Sequence, residues 1–356
     1  MNIQIFLGTG GVGKTSVAAA TALKAARAGS KSLVLTIDPA RRLRTALGIS
    51  AGGEEQRVPF DPPAPGGGEL WAAMLDVRSS LDRAVHRYGK PQDAQAVLQH
   101  PVYQLLITSL AGMQELMAIE RIHQAIEDGF DSIVIDTAPS RHALEFLDKP
   151  EFFGQLVSFP IVKLVGRTYK WWINSPLSKL SKMSFELYSR VEEILGSSMV
   201  HEILEFFSIF RKFAESYADR AKTTLARLRD PRVTAFHIVT TPFKAARDAE
   251  YFVAELRKRR FLVGSMIVNR MWPPVAPQLD AHLPSQVQAL VAWYENVCNA
   301  HHNVWAEISD EFSNRIPKLI SLPELSRDVD GLAALQEIAQ LLDKADDAPA
   351  AGKKPA

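Results

Sequence analysis

Gly8-Thr9-Gly10-Gly11-Val12-Gly13-Lys14-Thr15 is the stretch that decides the fold of this 356-residue chain. Two glycines five positions apart, followed by Lys and then Thr, form the pattern of a phosphate-binding loop, and every position of the pattern is filled. In such a loop the backbone N–H groups surround a phosphate, the lysine reaches the outer phosphates and the hydroxyl serves Mg²⁺. The residues predicted to bind the phosphates of a nucleotide are Gly8, Gly10, Gly11, Val12, Gly13, Lys14, Thr15 and Ser16.

The sequence on both sides of the loop supports this prediction. Residues 3–7 (IQIFL) are mostly apolar and predict a buried strand, whereas residues 15–28 carry Ala, Val and Leu at helical spacing. A strand that leads through a glycine loop into a helix creates an anion site, because the first N–H groups of a helix have no partner within it.

Further apolar segments predict strands that alternate with helices. These segments are residues 32–37, 70–76, 132–136, 233–240 and 263–269. The alternation predicts an α/β fold with a doubly wound, mainly parallel sheet, as in P-loop NTPases.

One long segment differs from this pattern and divides the chain. Residues 151–229 are helical in periodicity and rich in aromatic side chains, which predicts a helical subdomain inserted between residues 1–150 and residues 230–343 of the P-loop domain. Three shorter segments are predicted as a surface loop, a closing helix and a disordered tail: residues 50–68, 328–343 and 344–356.

Composition limits the classes of function. The net charge is +1, from 41 Lys and Arg against 40 Asp and Glu, so we expect no nucleic acid partner. The longest apolar stretch, residues 152–165, is too short and too broken to span a bilayer. The single cysteine, Cys298, forms no internal disulfide, and it fits a cytoplasmic protein. We expect no signal peptide, because the first strand begins at residue 2.

Two carboxylates that follow predicted strands complete the expected site, since ligands bind at the carboxyl ends of strands in open α/β sheets. Asp136 ends one apolar run, where a carboxylate suits the Mg²⁺ side of the site; the alternative is a residue of a surface turn. Asp38 follows another and could orient the attacking water, although Asp-Pro also commonly starts a turn. Asp76 ends a further apolar run and is assigned no role.

Three motifs together resemble those of one family. They are the loop ending in Gly-Gly-Val-Gly-Lys-Thr, Asp38-Pro39-Ala40 with Leu43 and Ala46, and Asp136-Thr137-Ala138-Pro139-Ser140 with His142 and Leu144. In this order and spacing they resemble the ArsA-like ATPases, which include the arsenite-pump ATPase and the GET-pathway ATPase that targets tail-anchored membrane proteins. Three further segments are similar to segments of that family, and they extend the resemblance over residues 1–340: Ala111 to Glu115, Val268-Asn269-Arg270 and Pro323-Glu324.

The resemblance implies ATP and Mg²⁺ as ligands, and hydrolysis that accompanies closure of a dimer around two nucleotides. By matching position, the implied residues are Lys14 and Asp38 for catalysis, Thr15 and Asp136 for Mg²⁺, Asn269 and Pro323 for the adenine, and Pro39, Ala40, Thr137, Pro139 and His142 for two switches that sense the γ-phosphate.

Position 9 departs from the family pattern, which has a lysine after the first glycine of the loop that reaches the phosphates bound by the partner subunit. Thr9 offers no cation for the transferred phosphoryl group. The chain could pair with a paralogue that carries the lysine, and this heterodimer is our preferred hypothesis. Otherwise Arg41, Arg42 or Arg141 supplies the charge, or hydrolysis is slow.

The cysteine count argues against three kinds of thiolate site: a zinc clamp, an arsenite site and an iron–sulfur cluster. A symmetric dimer with one cysteine per chain offers two thiolates, whereas structural zinc takes four ligands. We therefore expect neither a zinc clamp nor arsenite held by several thiolates. An iron–sulfur cluster like that of the nitrogenase iron protein needs two cysteines from each subunit, so it is not expected either.

Apolar side chains recur at helical spacing in the inserted segment, and five of them form a candidate client surface: Met199, Ile203, Phe206, Phe210 and Phe213. One interpretation is a buried stripe of the helical subdomain. The other is a groove for an apolar helix of a membrane protein, because Met and Phe adapt to varied partners. Residues 152–172 mix Trp with Lys and Arg, which fits either peripheral membrane contact or a lid over the groove.

Three functions are compatible with these patterns. The first is an ATPase whose nucleotide cycle opens and closes a hydrophobic client site. The second is a regulatory subunit that binds nucleotide, hydrolyses little and acts through its partner; Thr9 keeps this alternative open. The third is a positioning ATPase similar to ParA and MinD. Such a protein would carry a basic amphipathic helix at its end, and Asp346-Asp347-Ala348-Pro349 does not supply one.

Overall fold

An eight-stranded, mostly parallel β-sheet organises the structure. The structure is a computed structural model, and it describes the following residues: 1–38, 42–49, 55–61, 67–109, 113–138, 144, 147, 197–274 and 284–347. The strands lie in the order β3-β4-β2-β5-β1-β6-β7-β8. Their bounds are β1 Asn2–Leu7, β2 Lys31–Thr36, β3 Gln56–Val58, β4 Glu69–Met74, β5 Ser132–Asp136, β6 Thr234–Thr240, β7 Val263–Met271 and β8 Leu319–Pro323.

Helices connect these strands, and one group of them belongs to a separate unit. The helices of the described residues, numbered in chain order, are α1 Lys14–Arg27, α2 Arg42–Leu47, α3 Val77–Tyr88, α4 Pro91–Gln99, α5 Pro101–Ser109, α6 Met113–Glu127, α7 Ser197–Arg229, α8 Ala245–Lys258, α9 Ser285–Phe312 and α10 Leu332–Asp347. Strands joined by helices confirm the predicted α/β fold with a doubly wound, mainly parallel sheet.

The pairing of the strands decides where a ligand can bind. β3 runs antiparallel to β4, whereas the six other neighbouring pairs are parallel. β1 lies between β5 and β6, and the chain leaves it through α1 toward β2 on one side before it later returns to β6 on the other. Strand order therefore reverses at the carboxyl end of β1, and such a switch point is where open α/β sheets bind ligands.

The core next to this switch point is built by small side chains on α1. Five of its six alanines and Val17 are buried, and they allow the helix to pack closely on the sheet and on α10. Apolar residues of β1, β2 and β5 complete the same cluster, including Phe6, Val34 and Val134. This packing fixes α1, so that its N-terminus lies at the carboxyl edge of the sheet.

The described chain forms two compact units. The first comprises residues 1–74, 125–143 and 227–356, and it contains the whole sheet; the second comprises residues 75–124 and 144–226. Residues 75–124 thus group with the helical segment, although the sequence analysis assigned them to the first part of the P-loop domain. The functional division at residues 150 and 230 stays a prediction.

Two predicted segments were wrong in part. The loop expected over residues 50–68 contains β3, whose Gln56–Val58 pairs with β4. The disordered tail expected from residue 344 was wrong for residues 344–347, because α10 runs to Asp347; residues 348–356 lie outside the described residues. Asp346 accepts hydrogen bonds from Lys24 and Lys318, and Asp343 pairs with Lys24 at 2.8 Å, so these contacts hold the last turn of α10 in place.

None of the helices in the described ranges has the combination of length and apolar character that is needed to cross a bilayer.

Candidate functional site

The loop between β1 and α1 has a backbone that only its glycines permit. Gly11 and Gly13 adopt φ values of 81° and 85°, in the left-handed region that side chains with a Cβ rarely occupy. At Gly8 an added Cβ would lie 2.4 Å from the carbonyl oxygen of Val239, so the loop approaches β6 too closely for any side chain. The pattern of glycines thus follows from the shape of the loop.

The helix that follows the loop begins with free N–H groups. Gly13 is the N-cap of α1 and has no side chain to accept their hydrogen bonds. Because the first N–H groups of a helix point along its axis and carry partial positive charge, this end attracts an anion.

Asp136, at the carboxyl end of β5, gathers three polar side chains. It is fully buried and pairs with Lys14, whose Nζ lies 2.9 Å from its Oδ1. The hydroxyl of Thr15 donates to its Oδ2 at 2.8 Å, and that of Thr36 donates to the same oxygen at 3.0 Å. Lys14 also donates to the backbone carbonyl of Thr137. The lysine and the carboxylate that the sequence placed in one site are therefore in direct contact.

The oxygen atoms at this point fit Mg²⁺. Thr15 and Asp136 supply a hydroxyl and a carboxylate oxygen 2.8 Å apart, and Mg²⁺ in nucleotide sites takes one or two protein oxygens together with waters and phosphates. These two side chains are the ones that would hold the ion.

Asp38 lies at the end of β2, close to the same network. Its side chain is 7% exposed, and its backbone N–H donates to the hydroxyl of Thr36 at 3.2 Å. Thr36 therefore connects the backbone of one predicted carboxylate with the side chain of the other. Of the predicted switch residues, Thr137 is buried and its hydroxyl donates to the Phe6 carbonyl at 2.8 Å. Pro39, Ala40, Pro139 and His142 lie outside the described residues.

Asn269, near the end of β7, contacts the phosphate loop itself. Its Nδ2 donates to the carbonyl of Val12 at 2.9 Å, and a Cβ added to Gly13 would lie 2.2 Å from the same nitrogen. Pro323 ends β8 and pairs with Met271 of β7. Both residues expected at the adenine thus lie on neighbouring strand ends beside the loop, and their role toward the base stays a prediction.

Thr9 is engaged by the first turn of α8. Its hydroxyl donates to Asp248 Oδ2 at 2.7 Å, and Lys244 Nζ donates to the carbonyl of Gly10 at 2.8 Å. Two hydrogen bonds therefore join the outer part of the loop to this helix. Sequence reasoning missed Lys244 and Asp248, because they lie more than 200 residues from the loop and belong to no motif.

Two cavities flank the loop. One, of about 350 Å³, is lined by residues 11–16 together with Thr9, Arg42 and Arg270. The other, of about 600 Å³, is lined by Gly10, Gly11, Lys244 and Arg270, and by aromatic side chains that include Phe243, Trp272 and Tyr294. Of the three arginines proposed to replace the missing lysine, Arg42 lines the first cavity, whereas Arg41 and Arg141 lie outside the described residues.

The candidate client residues belong to the second unit. Phe206, Phe210 and Phe213 are buried there, with Phe206 and Phe210 stacked at 5.0 Å between ring centroids, and Ile203 is partly buried. The side chain of Met199 is not among those described. The burial agrees with the interpretation as a core stripe, and binding of a client at these residues stays a prediction.

Comparison with known proteins identifies the family of this chain. The family model for anion-transporting ATPases, ArsA, matches residues 1–344. A protein of Chlorobaculum tepidum named as an arsenical pump-driving ATPase is 32% identical over 227 residues, which are 63% of this chain and 52% of that protein. A similarly named protein of Aquifex aeolicus is 26% identical over 96% of this chain and 78% of its own length. The ATPase get3 of Schizosaccharomyces pombe is 24% identical over 98% of this chain and 92% of its own length. The match to the Chlorobaculum protein thus spans about half of that relative.

Proposed function

This chain belongs to the anion-transporting ATPase family, ArsA, and from that premise we propose that it binds ATP with Mg²⁺ and hydrolyses it to ADP and phosphate. The observation that carries the proposal is the contact of Lys14 and Thr15 with the buried carboxylate of Asp136. A phosphate loop without this carboxylate could bind an anion, whereas the three groups together provide a cation for the phosphates and oxygens for a metal ion.

Each side chain has a separate task in the proposed reaction. Lys14 moves from Asp136 to the outer phosphates, where its charge balances the negative charge that develops on the transferred phosphoryl group. Thr15 and Asp136 would hold Mg²⁺, which would neutralise part of the negative charge of the phosphates. Asp38 orients a water molecule, whose oxygen forms a bond to the γ-phosphorus while the bond from that phosphorus to the β–γ bridging oxygen breaks. The bridging oxygen leaves with ADP, and both water protons leave with the phosphate. Asn269 and Pro323 contact the adenine.

The experiment that tests this function is steady-state hydrolysis of Mg-ATP by the purified chain, with Lys14→Ala as the blank. We expect the wild-type chain to turn over ATP faster than that blank. We expect turnover by Asp38→Asn to be at least about tenfold slower than that of the wild-type chain, because each variant removes a charge from the site. Turnover of the wild-type chain equal to that of Lys14→Ala, together with no binding of ATP, would contradict the proposal.

A second candidate function is favoured by Thr9, whose hydroxyl is bound to Asp248 of its own chain. Threonine carries no positive charge, so position 9 offers no cation to a partner subunit. We infer that the chain could act as a low-activity regulatory subunit of a heterodimer, in which a paralogue supplies the lysine. Alternatively it forms a homodimer in which Arg42, Lys244 or Arg270 provides the charge.

Protein concentration separates the two assemblies. In a homodimer, specific activity rises with the concentration of the isolated chain until association is complete. In the heterodimer, the isolated chain binds ATP, stays inactive at every concentration, and is activated by a paralogue with the lysine. We expect a cytoplasmic location in either case.

Coupling to a hydrophobic client, such as the helix of a membrane protein, is the finer proposal. It rests on the resemblance to the targeting ATPases and on the apolar side chains of α7. Capture of a peptide with an apolar C-terminal helix should depend on whether ATP or ADP is bound. Equal capture in both nucleotide states, or none in either, would remove this part of the proposal.

A further inference from the structure

Arg270 has a backbone conformation that its side chain makes costly. Its φ is 62°, in the left-handed region where a Cβ crowds the backbone, and one other non-glycine residue among those described, Arg260, shares this feature. The register between β7 and β8 shifts between Val268 and Met271, so Asn269 and Arg270 lie at a bulge-like irregularity within the strand. Irregularities of this kind are common beside active sites, where they redirect a side chain.

The strained residue stands next to one that touches the phosphate loop. Asn269 donates to the carbonyl of Val12, and this hydrogen bond fixes the position of β7 relative to the loop. Arg270 therefore directly follows the residue that holds β7 to the loop, and it lines the same cavity as Lys14 and Thr15.

Arg270 lines both cavities of the site. Among the described residues that line them, only Gly11 and Arg270 belong to both. Arg270 thus lies where the space next to Lys14 meets the space next to the aromatic side chains. A nucleotide that extends from the loop along the carboxyl ends of β7 and β8 would pass this junction.

The ion pair that Arg270 makes with Glu324 is weak. Arg270 Nε lies 3.7 Å from Glu324 Oε2, and the two side chains are 54% and 41% exposed. Solvent screens a pair that is this long and this exposed. Glu324 itself is anchored by its backbone N–H, which donates to the Met271 carbonyl at 2.8 Å. So weak an ion pair does not offset the strain of a left-handed backbone at Arg270. A contact between the guanidinium and a bound ligand would offset it.

We propose that Arg270 is a phosphate-binding residue of the nucleotide site, and that its guanidinium exchanges Glu324 for the phosphates when the nucleotide binds. This inference rests on the proposed binding of ATP. A guanidinium matches phosphate with a planar pair of donors, and it stays charged at any physiological pH. Arg270 would thereby supply, from within the chain, part of the positive charge that Thr9 does not supply.

Direct binding measurements test the role of Arg270. The affinities of Mg-ATP and Mg-ADP would be measured by calorimetry for the wild-type chain, Arg270→Ala, Arg270→Lys and Arg270→Gly. We expect Arg270→Ala to weaken both nucleotides by about tenfold or more, and Arg270→Lys to weaken them less, because it keeps a charge. The matched control is Arg327→Ala: Arg327 is 53% exposed, pairs with Glu337 at 3.0 Å and lines neither cavity, so its loss should change affinity less than twofold.

Arg270→Gly separates a binding role from a structural one. Glycine adopts positive φ without strain, so this variant should melt at the same temperature as the wild-type chain or higher, and yet bind nucleotide as weakly as Arg270→Ala. A purely structural arginine would give the opposite combination, with lower melting temperature and unchanged affinity once folded.

Tripolyphosphate identifies the part of the nucleotide that is recognised. Its ability to displace a fluorescent ATP analogue should fall in Arg270→Ala by a factor similar to that for ATP. Equal displacement in both proteins would assign Arg270 to the base or ribose and overturn the phosphate contact. If the wild-type chain binds ATP and Arg270→Ala binds it equally well, the inference about Arg270 fails and the proposed function stands. If the wild-type chain binds no nucleotide, both fail.

Discussion

Gly13 is a residue of the phosphate loop at which a side chain is disfavoured in two ways. It combines a φ of 85° with a site for Cβ only 2.2 Å from Asn269 Nδ2, so a side chain there meets both backbone strain and a contact inside the nucleotide site. Gly129 has a similar φ of 74°, but nothing lies within 4 Å of its Cβ position. The two glycines therefore form a matched pair for separating strain from contact.

We predict that Gly13→Ala weakens ATP binding by at least about tenfold. The added methyl group displaces Asn269 from the Val12 carbonyl, and it disfavours the left-handed backbone conformation that the loop needs at this position. Gly129→Ala should lower the free energy of unfolding by about 1–2 kcal/mol through strain alone, and leave ATP affinity unchanged. Calorimetric titration and urea unfolding measure the two effects. Equal ATP affinities in Gly13→Ala and Gly129→Ala would show that the close approach to Asn269 has no part in binding.

His237 gives the sheet a sensitivity to acid. Its ring stacks on Phe6 at 4.9 Å between centroids, and Nδ1 lies 2.8 Å from the Ser265 hydroxyl. Burial lowers the pKa of His237 from 6.5 to about 4, against a smaller opposite effect of the Asp346 charge. Lys24 and Lys318 line the same cavity as the ring and already pair with Asp346.

The direction of the effect follows from proton binding. Between pH 6.5 and 4 the unfolded chain binds a proton at this histidine and the folded chain does not, so stability falls as the pH is lowered through this range. We predict that His237 accounts for a loss of about 2 kcal/mol in the free energy of unfolding between pH 7 and pH 5. Urea titrations at both pH values should show a smaller loss in His237→Gln than in the wild-type chain. The same loss in both proteins would assign the acid sensitivity to other groups.

Helices α6 and α7 of the second unit are joined by a buried ion pair. Arg220 Nη2 lies 3.2 Å from Glu120 Oε2, the side chains are 9% and 0% exposed, and the guanidinium lies 3.7 Å from the centre of the Tyr88 ring. A charge that loses its counter-ion at such a site is strongly unfavourable, because burial separates it from water.

We predict that Arg220→Met destabilises the protein by about 3–5 kcal/mol, and that adding Glu120→Leu in the same chain recovers part of the loss. The exposed pair of Arg315 and Glu250, 2.9 Å apart, provides the control, and Arg315→Met should cost less than about 1 kcal/mol. Chemical denaturation followed by helical circular dichroism measures all three variants. If the double variant is no more stable than Arg220→Met, the cost belongs to lost packing and not to the charge of Glu120.

Elements with strong local patterns were predictable from the sequence, and elements defined by long-range contacts were not. β1, β2, β5, β6, β7 and α1 lie within two residues of the predicted segments, because apolar runs and helical spacing are local signals. β3 was missed, since its three residues become a strand only by pairing with β4. α9 was also missed, although its sequence carries the local signal: apolar side chains recur at steps of three and four residues from Val287 to Phe312.

The site divides in the same way. Lys14, Thr15 and Asp136 were found by motif, and their mutual contacts agree with the expected site. Lys244 carries no sequence signal, and Arg270 was noted only as part of the segment Val268-Asn269-Arg270, with no role of its own. Their place beside the loop depends on how α8 and β7 are arranged around β1. Charge at a site is fixed by tertiary structure, so a motif alone leaves the source of the missing cation open.

At the scale of the whole molecule, the two compact units should respond differently to a ligand. The described residues of the proposed nucleotide site lie within the first unit, whereas the second has its own buried side chains and its own ion pair. Because a ligand stabilises only the unit that binds it, ATP should raise the melting temperature of the first unit and leave that of the second nearly unchanged.

We predict two transitions in scanning calorimetry of the full chain, of which one moves with Mg-ATP. At a free ligand concentration of 100 times Kd, the shift corresponds to about 2.7 kcal/mol. Lys14→Ala should abolish the shift. A single transition that moves as a whole would mean that the two units unfold as one cooperative body.

The contact of Lys14 with Asp136 also makes nucleotide and metal binding reciprocal. A phosphate that takes Lys14 leaves the buried carboxylate without its counter-ion, and a divalent ion that takes Asp136 releases the lysine. Each event therefore removes an obstacle to the other, and the coupling free energy must be the same in both directions. Binding of ATP without a divalent ion would leave the Asp136 carboxylate buried without a counter-ion, which costs free energy. Binding of Mg²⁺ without ATP would displace the Lys14 ammonium group from its carboxylate, which also costs free energy. We therefore expect ATP and a divalent ion to bind together more tightly than the sum of their separate affinities predicts.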